Sequence, residues 1–308
     1  MKFLKILCVL FLIFPIWVSA STKATVDITK MSITDLADAL DKGYLTSELL
    51  VTLYLERIEE YDDEFNAIRQ INENALEEAR LLDEERSEGD IRSILHGIPI
   101  VVKTNIDVEG LATTAGSKAL EDNYPNEDAE AIKKLKEAGA IILASTNMSE
   151  FAFAASNSLS SYGSVHNVFN PNYTSYGSSG GSAVAVATSF AAASLGTDTN
   201  SSVRLPAAAA GLVGLRPTLG LISTDGVIPY DITRDTIGIL SKTVEDNAII
   251  LSVINAENNI YEPSLETLEG IKIGVINSYL KGTSSTVRVN GKTDEDIYNL
   301  AIEKIDLL

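Results

Sequence analysis

The 308-residue sequence is almost without cysteine: Cys8 stands alone, and it shares the first twenty residues with the single tryptophan, Trp17. One cysteine builds no disulfide framework, so the fold must be held by packing. Basic charge is scarce too. Lys and Arg number 24 against 43 Asp and Glu, a formal charge of −19, which repels phosphate backbones and excludes non-specific nucleic-acid binding as a main activity. Histidine occurs only at His96 and His166, and tandem repeats and low-complexity segments are absent. What remains is 45 % hydrophobic and 22 % charged, an ordinary globular composition with room for one large core or two smaller ones.

The longest apolar run, Ile6 to Val18, follows Lys2 and Lys5 and leads into Ser19-Ala20. A basic start, a short apolar stretch and small residues at the cut are the layout of a secretory leader cleaved after Ala20. A membrane span needs ~20 apolar residues, so this run is short, and Pro15 weakens it further. Cys8 lies inside the run and not at the cut, against a lipid anchor. The expectation is a signal peptide at 1–20 and one domain at 21–308, secreted or extracytoplasmic, with no stable membrane insertion after cleavage.

Helical signals dominate the next stretch. Ser32 with Asp35 reads as a capping box. Thr46 or Ser47 caps a second helix with Leu49, Leu50, Leu53, Tyr54 and Ile58 on one face. A charged third helix is expected around Asn72 to Glu88. From Ile98 strands and helices alternate. Ile98–Val102 and Ala140–Ala144 read as buried strands, Asp128–Ala138 and Ala183–Ala193 as helices, and Ser194–Asp198 as strand or loop. Val244–Ile254 reads as a helix and Ile271–Ile276 as a strand. A final amphipathic helix starts at Thr293 and carries Ile297, Leu300, Ala301, Ile305 and Leu308 on one side. This alternation argues for an α/β domain with a mixed, mostly parallel sheet flanked by helices. The last helix has no glycine or basic cap, so the chain is expected to be incomplete at its C-terminus.

Gly177-Ser178-Ser179-Gly180-Gly181-Ser182 directly precedes the small-residue helix. On composition it is a flexible turn, yet it feeds a packed element, and free N–H groups at a helix start attract negative charge. It lacks the lysine and threonine of a P-loop. It also fits the G-x-S-x-G nucleophile elbow with Ser179 as nucleophile, but that mechanism needs a histidine later in the chain. Both histidines come earlier. A serine hydrolase without a histidine can use a lysine that burial keeps neutral. Lys103, after the apolar run 98–102, is the candidate; the bland alternative is a lysine snorkelling from a strand end.

Several segments now stand in order: His96-Gly97-Ile98-Pro99-Ile100-Val101-Val102-Lys103, then Thr146-Asn147-Met148-Ser149-Glu150-Phe151, then the serine-glycine loop. Gly196-Thr197-Asp198-Thr199-Asn200-Ser201-Ser202-Val203-Arg204 and Gly214-Leu215-Arg216-Pro217-Thr218 follow. Together they resemble the amidase signature family of serine hydrolases over roughly residues 30–255. The resemblance implies that fold and a Ser–cis-Ser–Lys triad. Lys103 aligns with the base, Ser178 with the serine after a cis bond, and Ser202 with the nucleophile. It further implies an oxyanion site from backbone N–H groups of about Thr199, Asn200, Ser201 and Ser202, Met148 beside the acyl pocket, and Ser179 in support. Asp198 and Arg204 are expected to pin the nucleophile segment.

The implied reaction cleaves a carboxylic amide, small or peptide-like, to acid and amine without metal or organic cofactor. Two alternatives stand beside it: a tRNA-dependent amidotransferase A-type subunit, and a non-catalytic remnant. The family usually has two glycines where this chain has Asn200-Ser201, and often an aspartate where it has Thr104. Asn200, Asn147 and Asn172 each open a glycosylation sequon. A sugar on Asn200 would block the nucleophile, which favours a bacterial source.

Overall fold

Alternating caps and breakers divide the chain into short elements. In the computed structural model, the described residues are 27–263, 270, 272, 274 and 294–305. The chain divides into a unit ending at Tyr261 and a second unit from Glu262 to Leu308. The expected leader at 1–20 and, apart from residues 272 and 274, the strand expected at 271–276 lie outside the described residues.

The first unit opens with α1 (Ile33–Asp41), capped by the reciprocal Ser32–Asp35 box that the sequence announces. Thr46 caps α2 (Ser47–Phe65), and Asn66 ends it in the left-handed region at φ 54°. Leu50, Tyr54 and Ile58 of α2 are buried as expected. Leu49 is not: it is exposed, one position outside that arc. The strand β1 (Ile68–Ile71) was not anticipated, because Arg69 and Gln70 interrupt a four-residue run that is only half-buried. α3 (Ala75–Glu88) buries Ala75, Ala79 and Leu82 and ends at Gly89 with φ 91°. Then come β2 (Pro99–Lys103), α4 (Glu130–Glu137) and β3 (Ile141–Thr146).

α4 starts two residues later than expected, because the Asp128 carboxylate is engaged by Glu109 N–H and by Lys136 Nζ, both at 2.8 Å. A small hairpin of β4 (Leu159–Ser160) and β5 (Gly163–Ser164) precedes α5 (Gly180–Ala187). The helix expected at 183–193 is corrected in both directions. It begins inside the glycine loop and stops where Ser189 turns to φ 58°. Ala193, an alanine that suits a helix, opens the strand β6 (Ala193–Asp198), paired with Ile100 and Ser241. Sheet pairing overrides propensity here. The unit closes with α6 (Arg204–Ala210), β7 (Val213–Leu215), β8 (Thr236–Ser241) and α7 (Val244–Ile254).

The six long strands form one sheet in the order β1-β3-β2-β6-β8-β7. The central strands β3, β2 and β6 run parallel, and β1, β8 and β7 join antiparallel. Every residue of β2, β3, β6 and β8 is buried, the signature of strands covered on both faces. The fold is the mixed α/β architecture expected. Because the three parallel strands point the same way, their carboxyl ends meet at one edge, where open α/β sheets place their ligands. In the second unit α8 (Asp294–Ile305) forms as its pattern predicts, and Leu300 is exposed.

Candidate active site

Lys103 is the last residue of β2 and is fully buried. Its Nζ donates to Ser178 Oγ at 2.7 Å and to Thr197 Oγ1 at 2.7 Å, and lies 3.4 Å from the Thr197 carbonyl. Burial pushes the ammonium down to about 7 from its ordinary 10.5, while the carboxylates of Asp198 and Asp235 oppose that shift. A snorkelling lysine would reach solvent; this one does not.

Ser178 follows a cis peptide bond from Gly177 and is fully buried. Its carbonyl accepts from Ser149 N–H at 3.0 Å, and Gly177 N–H donates to the Ala155 carbonyl at 2.8 Å. The loop is glycine-rich for space and not for torsion, since Gly177, Gly180 and Gly181 have no positive φ. A Cβ on Gly177 would sit 2.1 Å from the Asn157 carbonyl, and one on Gly181 2.2 Å from that of Asn147. The expected anion site at this helix start is corrected as well. Gly180 N–H donates to Ser158 Oγ and Gly181 N–H to the Asn147 carbonyl, so those donors are spent inside the protein.

Ser179 anchors the loop to β6. Its Oγ donates to the Thr197 carbonyl at 3.2 Å and accepts from Thr197 N–H at 3.3 Å. Its own N–H donates to the Ser202 carbonyl at 3.1 Å, which seats residue 202 against the residue after Ser178. Among the described residues, the Ser202 hydroxyl makes no hydrogen bond, and the backbone N–H groups of Asn200, Ser201 and Ser202 are not donated to any protein acceptor. Ser202 itself is only 6 % exposed. The structure thus joins Lys103 to Ser178 directly and holds Ser202 beside them through its backbone.

Asp198, fully buried at the end of β6, clamps that segment. Its Oδ2 accepts from Val203 N–H at 3.1 Å and Arg204 Nε at 3.1 Å, and Arg216 Nε lies 3.6 Å from Oδ1. Arg204 also donates to the Asn200 carbonyl. Asp198 and Arg204, expected to pin this segment, are in direct contact with each other and with its backbone. Neither Asn200 nor Ser201 takes a positive φ, so the missing glycine pair is not needed for the backbone path. Thr104, in the place of the common aspartate, bonds the Ala112 carbonyl at 3.1 Å. Met148 is wholly buried, its N–H held by Asn147 Oδ1. Asn147 is buried too, which removes it as a sugar acceptor in the fold, whereas Asn172 and Asn200 are exposed. His96 is a packing residue bonded to the Leu82 carbonyl at 2.8 Å, and His166 a loop residue bonded to that of Pro171.

Sequence reasoning missed Thr197, although it adjoins Asp198 in the quoted motif. It also missed Asp235, for which no local signal exists. Asp235 accepts from Thr199 Oγ1 at 2.5 Å and from the N–H groups of Tyr230 and Asp231 at 2.7 and 2.8 Å. Arg234 Nη1 reaches Asn200 Oδ1 at 3.0 Å. The segment 199–204 is therefore gripped from both sides.

A buried lysine at the carboxyl edge of a mixed α/β sheet, hydrogen-bonded to a serine, is the arrangement that the resemblance to the amidase signature family implies. The amidase family pattern matches residues 49–297, and the chain belongs to that family. It is 39 % identical, over 89 % of its length, to a Salinibacter ruber protein named as the A-type subunit of glutamyl-tRNA(Gln) amidotransferase. It covers 54 % of that relative, so the chain spans about half the length of the curated relatives it matches. Among solved structures it is similar to the native peptide amidase of Stenotrophomonas maltophilia, with a TM-score of 0.71 and 40 % identity over 73 % of this chain and 48 % of that one. An amidase family protein of Bacillus anthracis gives the same score and identity over 74 % and 47 %.

Proposed function

We propose that this protein hydrolyses a carboxylic amide through an acyl-Ser202 intermediate. The observation that carries the reading is the 2.7 Å hydrogen bond between a fully buried Lys103 amine and Ser178 Oγ. Neutral Lys103 takes the Ser178 proton as Ser178 takes that of Ser202, and Ser202 Oγ attacks the amide carbon. The carbonyl π pair moves onto oxygen, and the free N–H groups at 200–202 hold that oxyanion; such donors commonly contribute ~3–4 kcal/mol each. The C–N bond then breaks, Ser178 returns its proton to the leaving nitrogen, and water releases the acid by the reverse path. Ammonia or amine release from a carboxamide, lost in Ser202→Ala with the fold retained, tests the reading; equal turnover by that variant refutes it.

A second reading draws on the relatives named for the glutamyl-tRNA(Gln) amidotransferase. The same site would then release ammonia from glutamine within a larger assembly of several chains. Copurification with partner chains and a requirement for them in glutamine hydrolysis would favour it. We propose export as well: Lys2, Lys5, the apolar run 6–18 and Ala20 support a cleaved leader, and no helix among the described residues is long and apolar enough to cross a membrane. N-terminal sequencing of the protein from its own cell tests this, with Ser21 as the expected first residue.

A further inference from the structure

Lys103 serves as a base only while its amine is uncharged, yet two buried carboxylates, Asp198 and Asp235, pull it toward the ammonium. Burial opposes them. A second opposing group stands in the turn that follows β2. Ile106 N–H donates to the Lys103 carbonyl at 3.0 Å and closes a tight turn over 103–106. Asn105, a residue type that such turns favour, is folded back by it and is only 2 % exposed. The Asn105 carbonyl accepts from Ile228 N–H at 2.9 Å, which fixes the turn from its far side.

The two ends of the Asn105 side chain are treated differently. Nδ2 donates to Thr197 Oγ1 at 3.2 Å and lies 3.4 Å from the Ile228 carbonyl. Oδ1 is buried and has no hydrogen-bond partner among the described residues. An unpartnered buried acceptor is destabilising, and a leucine of similar size would avoid it. The donor end is what the position uses. It meets the same hydroxyl that takes a hydrogen bond from Lys103 Nζ at 2.7 Å. A hydroxyl that already accepts one hydrogen bond accepts a second less readily and donates its own proton more readily. Both changes weaken its hold on an ammonium and favour a neutral amine with a free lone pair.

We infer that Asn105 is a positioning residue, acting through the Thr197 hydroxyl to keep the Lys103 amine neutral and able to take a proton from Ser178. The inference rests on the amide-hydrolysis reading and adds to it a residue outside the three reacting side chains.

Titration of Lys103 is followed by carbon NMR on the full chain carrying Ser202→Ala and labelled at lysine Cε, so that turnover plays no part. Loss of one signal in Lys103→Met identifies it. The midpoint should lie at about 7. In Asn105→Leu, which removes the donor and keeps the bulk, it should rise by about one pH unit, a tenfold change in the ratio of charged to neutral amine. In a Thr197→Val background the same substitution should move it no further. Should Asn105→Leu fail to fold, Asn105→Ala, which retains the backbone bond to Ile228, decides alone. A purely structural role would lower stability and leave the midpoint in place. An unmoved midpoint, or an equal shift with and without the Thr197 hydroxyl, overturns the inference. A midpoint that moves in a protein whose Ser202 form releases no ammonia from any carboxamide keeps the action of Asn105 on the amine and rejects the amidase reading. An unmoved midpoint in an active amidase does the reverse.

Discussion

Lys103 Nζ and Ser178 Oγ lie 2.7 Å apart in a site where both side chains are fully buried. The pair comes from the end of a central strand and a loop 75 residues later, brought together because Ser179 ties that loop to Thr197 of β6, the strand paired beside β2. Burial makes this amine useful: an exposed lysine near pH 7 is almost wholly protonated and cannot accept a proton.

Activity should therefore follow deprotonation of Lys103. Its ammonium is pushed down to about 7, so kcat/KM should climb about tenfold per pH unit below that value and level off above it. Asp235→Asn removes a negative charge that favours the ammonium, and should move the acid limb to lower pH. A pH–rate profile of both proteins checks this.

The same shift has a stability consequence with a definite sign. The unfolded lysine titrates near 10.5 and the folded one near 7, so between these values the unfolded chain binds the extra proton. Lys103 thus makes folding stability rise with pH across that window, and Lys103→Met should flatten the rise while abolishing hydrolysis. Urea unfolding from pH 7 to 10 measures it.

Much of this site was legible. The motifs singled out Lys103, Ser178, Ser202, Asp198 and Arg204 as candidates, and the Ser32–Asp35 box and the Thr46 cap placed the starts of α1 and α2. What stayed hidden was tertiary. Asp235 bonds Thr199 across 36 residues, and nothing near Asp235 in the chain marks it. Ala193 suits a helix alone and becomes a strand only through its partners. Glycines at 177, 180 and 181 read on composition as a flexible turn, whereas their neighbours demand empty space.

That distinction predicts opposite outcomes at two kinds of glycine. Gly43 has φ +68° and nothing within 4 Å of a built Cβ, so Gly43→Ala should cost about 1 kcal/mol of stability and leave activity intact. Gly177→Ala drives a Cβ to 2.1 Å from a backbone carbonyl. It should cost about 1–3 kcal/mol and, by shifting Ser178, abolish turnover. Thermal unfolding and amide hydrolysis of the two variants decide.

Asp198→Asn should cost about 2 kcal/mol, the scale of hydrogen bonds to a charged group, with Arg204 recovering water because it is half-exposed. Turnover should fall further than stability implies, since residues 199–203 lose their clamp. By contrast, Asn200→Gly with Ser201→Gly should leave kcat/KM within a few-fold, because neither residue needs a positive φ. Parallel kinetics and unfolding curves check both statements.

The most direct measurement is covalent. The chain is treated with a serine-reactive fluorophosphonate and the adduct is located by peptide mass spectrometry, across pH 5 to 9. The account predicts a single adduct on Ser202, forming faster as pH passes about 7, and lost in Lys103→Met and Ser178→Ala variants that remain folded. An adduct on Ser178 or Ser179 instead, or undiminished labelling of Ser202 without Lys103, would contradict it.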